Sequence, residues 1–116
     1  MKATRLYTGT DGESHFEDIE IPLRPGDPSE LRTDKLKATG IIFRETGLSF
    51  DLSWHNAPAR QYVFTLQGRA EITVGDGTKR QFGAGDIMLA EDLTGRGHIT
   101  RGLGSQTRIS IFVTLD

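Results

Sequence analysis

An all-β fold, antiparallel and either closed or sandwich-like, is what this sequence predicts, and three observations carry the prediction. Apolar residues alternate with polar ones over short segments, glycine turns separate those segments, and no long stretch shows the 3.6-residue period of an amphipathic helix. The 14 glycines among 116 residues fit that many turns, and the length suits one ordinary domain.

In chain order, Gly9-Thr10-Asp11-Gly12 is a turn leading to Phe16, Ile19 and Ile21, an arm that ends in a strand. Pro22 to Pro28 holds three of the four prolines, which lack amide donors and disfavour regular structure, so it is a surface loop. Ser29 to Lys37 is expected to hold one helical turn, and the β-branched and aromatic run Ile41-Ile42-Phe43 opens the sheet proper. Leu48, Phe50, Leu52 and Trp54 alternate with Ser49, Asp51, Ser53 and His55, which places His55 at the end of a polar row. Tyr62 to Val74 reads as two strands broken at Gln67-Gly68, and Asp76-Gly77 is a hairpin signal. After the turn at Gly83-Ala84-Gly85-Asp86, the run Ile87-Met88-Leu89-Ala90 suits a strand buried on both faces. In the last strand, Ile109, Ile111, Val113 and Leu115 make one face apolar against Arg108, Ser110, Phe112 and Thr114. The division expected is an N-terminal arm and loop over 1–37 and a barrel over 38–116.

Composition narrows the function. Lys+Arg 14 against Asp+Glu 16 leaves a net charge of −2, with no positive field for a phosphate backbone, so nucleic acid is not an expected partner. The absence of cysteine excludes disulfides, zinc ribbons and thiol nucleophiles, and any metal would need His, carboxylate or amide ligands. No apolar run approaches membrane-spanning length, and the start of the chain lacks the apolar core of a signal peptide. The expectation is a cytoplasmic protein without a membrane partner.

Two blocks carry a family likeness. Trp54-His55-Asn56-Ala57-Pro58-Ala59-Arg60-Gln61, continuing to Gly68, resembles the first cupin motif, with His55, Ala57, Gln61 and Gly68 on its four marked places. Gly85-Asp86-Ile87-Met88-Leu89-Ala90, continuing to Gly95-Arg96-Gly97-His98, resembles the second. The likeness implies a small single-domain cupin, a double-stranded β-helix or jelly-roll barrel with a short N-terminal arm. It also implies a homodimer, for which Lys2 to Ile21 is the segment expected to reach the neighbour. Ala57 stands where the family has a second histidine and Gln61 where it has an acid. The metal set the resemblance implies is therefore reduced to His55, Gln61 and His98, with Asp92 or Asp51 as further carboxylates for a divalent cation.

His55 and His98 read either as residues facing one pocket or as hydrogen-bonded structural residues at a barrel mouth. Facing a pocket, they can exchange a proton near neutrality without any metal, and Gln61 can orient a carbonyl or hydroxyl. Trp54 is a candidate for stacking on a ligand, against the alternative of core packing. Arg60, with Arg44, Arg96 and Arg101, is a candidate clamp for a carboxylate, against the alternative of solvated surface charge. The function expected is binding of a small polar organic molecule, a carboxylate or sugar derivative, by an isomerase- or lyase-type or metal-assisted enzyme. The alternative is a module that binds or senses such a molecule without catalysis.

Overall fold

The computed structural model describes residues 1–116, and the chain folds into strands and loops without a helix. The strands are β1 (Lys2–Thr8), β2 (Ser14–Glu20), β3 (Arg24–Pro25), β4 (Leu31–Arg32), β5 (Gly40–Thr46), β6 (Asp51–His55), β7 (Gln61–Gln67), β8 (Arg69–Thr73), β9 (Lys79–Phe82), β10 (Ile87–Glu91), β11 (His98–Leu103) and β12 (Arg108–Thr114). A six-stranded sheet in the order β2-β1-β10-β7-β12-β5 faces a four-stranded sheet in the order β6-β11-β8-β9. Pairing is antiparallel throughout except between β1 and β10, which run parallel.

The core lies between the sheets. Leu6, Val63, Met88 and Ala90 from the larger sheet meet Ile72 and Phe82 from the smaller and Val74 just past the end of β8, with Phe16 and Phe112 packed against them. Leu6 is 0% exposed. Burying a leucine fully is worth about 1.5–3 kcal/mol, so the β1–β2 hairpin belongs to the barrel and is not a loose arm. Within Lys2 to Ile21, β1 spends its backbone on β2 and β10 of its own chain, and β2 is left as an edge strand of the sheet.

Two further expectations change. Ser29 to Lys37 holds no helical turn; Leu31-Arg32 instead pairs with Arg24-Pro25. A helix of that length, next to three prolines, cannot repay its nucleation cost; Leu23, Leu31 and Leu36 instead rim an outer apolar groove of about 340 Å³ with Tyr62, Phe64, Ile87 and Val113, and Leu31 and Leu36 stay largely exposed there. On β12 the apolar row is not the core row. Arg108 and Ser110 are buried inside, whereas Ile109, Ile111 and Val113 are half-buried on the outer surface of the sheet.

One irregularity aims the site. Across β6 and β11, His98 pairs with His55 and Thr100 with Leu52, so β6 spends three residues where β11 spends two. This bulge reverses the facing of β6 after Leu52, and His55 joins Leu52 on the interior. Trp54 is left outside, where the Arg96 guanidinium lies 4.1 Å from its ring centroid.

Candidate functional site

The barrel encloses a cavity of about 300 Å³, at the lower end of the range for small-molecule sites. His55, Asn56 and Gln61 contribute to its walls with His98, Thr100, Arg44 and Arg108, over an apolar lining that includes Val63, Ile72, Met88 and Phe112. No Asp or Glu lines it.

The two histidines are opposite one another on β6 and β11, with ring centroids 4.3 Å apart. Close approach of the chains there depends on Gly97, whose φ is +79° and where a Cβ would run into the His55 carbonyl. His98 is 5% exposed, and its Nδ1 lies 2.5 Å from Asp92 Oδ2. Asp92 is fully buried and accepts a second bond from Ser14 Oγ at 2.7 Å; its Oδ1 has no partner. The Asp92 contact assigns the Nδ1–H tautomer to His98 and leaves Nε2 as the acceptor. His55 Nδ1 donates in the same way to the Ser53 carbonyl at 2.7 Å. Burial pushes the His55 imidazole below its usual 6.5, opposed by the Ser53 bond and reinforced by the neighbouring His98. His55 is therefore mostly neutral at pH 7.

Gln61 is buried at the start of β7 and forms no side-chain hydrogen bond within the protein. Four residues further along the same strand, Thr65 accepts from Arg108 Nη2 at 3.0 Å. Arg108 is seated by Gly68, with φ +73°, where a Cβ would come within 2.9 Å of the Arg108 Cα. Burial, then the nearby Arg44 charge, pull the Arg108 pKa below the ordinary arginine value. Arg44 lies opposite Ser110 on β5, with its guanidinium 4.9 Å from the Phe112 ring centroid.

The cavity thus brings together His55, Gln61 and His98 as expected, but neither Trp54 nor Arg60. Arg60 precedes Gln61 and points to the opposite side, where it joins Arg5 on Glu91. Arg96 and Arg101 are also outside, on Glu13 and Glu71. Of the arginines considered from sequence, Arg44 alone reaches the cavity. Asp92 and Arg108 were missed as site residues in these roles. No motif marks Asp92 as a histidine partner, but Arg108 heads a polar row on a strand whose other face is apolar, a pattern that an interior cavity accounts for.

The residues present do not fit a divalent cation. His55, Gln61 and His98 offer two imidazole nitrogens and one neutral amide, and nowhere do three or more His, Asp or Glu residues cluster so as to hold a metal. Asp92 is turned to Ser14 and His98 and does not line the cavity, and Asp51 is exposed. Arg44 and Arg108 add positive charge to the same walls, which raises the cost of bringing in a cation.

No family model matches the chain. No curated protein matches it either. Among solved structures, the protein NMB1881 from Neisseria meningitidis is similar over 70% of this chain and 79% of its own, at 17% identity and a TM-score of 0.51. A putative ethanolamine utilization protein Q from Salmonella typhimurium LT2 aligns over 99% of this chain and 96% of its own, at 15% identity and a TM-score of 0.38. No helix is present that is long and apolar enough to cross a membrane. The likeness to the Neisseria structure is one of fold, and the two facing sheets with their enclosed cavity make a jelly-roll barrel.

Proposed function

We propose that this barrel binds a small polar organic molecule in its cavity and moves a proton next to a carbonyl group, as an isomerase or lyase does, without a metal. The observation that carries this reading is the buried Ser14–Asp92–His98 chain. It fixes one tautomer, and the Asp92 carboxylate stabilises the imidazolium formed when Nε2 accepts a proton. In the step, a substrate C–H bond breaks as the His98 N–H bond forms, and the electron pair moves onto the carbonyl oxygen. The Gln61 amide, with no partner in the protein, is available to donate to that oxygen. Return of the proton to the same carbon restores His98; in an α-hydroxy ketone, passage of the hydroxyl proton to the oxyanion lets the proton return instead to the former carbonyl carbon, which isomerises the substrate.

A second reading has its own support. Asp92 also accepts the Ala57 amide through its backbone carbonyl, so the Asp92–His98 pair braces three segments and would serve equally in a binding or sensing module. Deuterium exchange separates the two. Pyruvate and dihydroxyacetone, each with hydrogens beside a carbonyl, are incubated with protein in D₂O and followed by NMR. Accelerated exchange that is lost in a folded His98→Gln variant supports catalysis, and binding of either compound without exchange supports the module. The fold's resemblance to cupins further suggests a homodimer, and the place for it is the edge strand β5, where Ile41 is 57% and Phe43 74% exposed.

A further inference from the structure

From the two unpaired arginines inside the barrel we infer that the cavity is an anion site, in which Arg108 and Arg44 take the carboxylate of a small organic acid. The inference deepens the proposed function, on which it rests for the cavity being the ligand site, and it chooses the acid over the neutral sugar.

Arg108 is 9% exposed, and its side chain's hydrogen bonding within the protein is one bond to the neutral Thr65 hydroxyl. Its Nε is buried without a partner. A buried guanidinium with no anion is costly, and folds that keep one ordinarily pair it with a carboxylate. Here no acid lines the cavity, and neither Arg108 nor Arg44 forms a salt bridge anywhere in the chain. The one interior acid, Asp92, is committed to Ser14 and His98. An organic anion supplies what the protein withholds, because a planar carboxylate matches the donor fork of arginine. His98, Gln61 and Arg108 all line this one cavity, so a small acid held by its carboxylate keeps its remaining atoms among the same walls.

Pyruvate and dihydroxyacetone also serve as probes here, similar in size but differing in charge, with binding measured by calorimetry at pH 7. Pyruvate is expected to bind once per chain and at least tenfold more tightly than dihydroxyacetone. Arg108→Met should weaken pyruvate at least tenfold, Arg44→Met less, and the exterior Arg60→Met not at all. Equal affinity for the two probes, no pyruvate binding at millimolar concentration, or unchanged affinity in folded Arg108→Met protein would each overturn the anion site. If Arg108→Met does not fold, the ratio of the two probes in the wild type and the Arg44→Met variant decide the matter. Exchange in D₂O reports on the proton-transfer reading independently: charge-selective binding without exchange upholds the anion site alone, and exchange without charge selectivity upholds only the catalyst.

Discussion

Two pairs of arginines on this barrel stand in opposite circumstances. Outside, Arg5 and Arg60 converge on a single carboxylate, Glu91, which receives both. Inside, Arg44 and Arg108 lie near each other on adjacent strands with no carboxylate at all. Solvent could have tolerated the exterior arginines without a counter-ion, yet those are the paired ones, and the interior ones, where pairing matters most, are not. Glu91 is shared by two arginines that water could serve, while buried Arg108 and partly buried Arg44 have no anion, which leaves the cavity open to a charge that arrives with the ligand.

Replacing Arg108 by methionine should break this contrast most visibly. Beyond its effect on pyruvate, the variant should keep or raise its melting temperature in the absence of ligand, because exchanging an uncompensated buried charge for an apolar chain removes a desolvation cost. A large fall in melting temperature would make Arg108 a structural residue. Next in size, Glu91→Gln should cost about 1 kcal/mol of stability in denaturant titration, since its pairs are only partly shielded, and should leave pyruvate affinity unchanged. Burial alone would raise the Glu91 pKa, but the hydrogen bonds from Arg60 and Arg5 outweigh it and hold the carboxyl below its usual value. Its contribution is thus present above the ordinary glutamate range and is lost as pH falls through the folded value. A smaller effect follows from His55, whose folded pKa lies below 6.5. The unfolded chain takes up that proton first, so stability should fall as pH drops below 6.5, and His55→Gln should flatten the slope. Arg60→Met is expected to be the mildest, under about 1 kcal/mol.

Reading the sequence went furthest where local chemistry decides structure. Gly68, Asp76-Gly77 and Gly85 mark turns that the chain makes, and the runs at Ile41, Tyr62, Ile87 and Arg108 are strands. The two histidines were placed together by the motifs, and they meet. Trp54 and Arg60 were misplaced for reasons that alternation cannot reveal. A bulge within β6 turns Trp54 outward while His55 enters the cavity, and Arg60, next to an inward Gln61, faces Glu91 outside. The last strand shows the deeper limit: period two reports two faces without saying which is interior. Ile109, Ile111 and Val113 look like core, yet a barrel with a polar cavity puts Arg108 and Ser110 inside. Asp92 carries no local signal, because its role arises only when Ser14 and His98 are brought to it from 78 and 6 residues away.

The most direct test of where the ligand lies is an isotope-filtered NOE experiment on pyruvate bound to the wild-type protein. The account predicts contacts from the pyruvate methyl group to side chains of the cavity, Val63, Ile72, Met88 and Phe112. Contacts instead to Leu31 and Leu36 in the outer groove, or to no cavity residue, would contradict it.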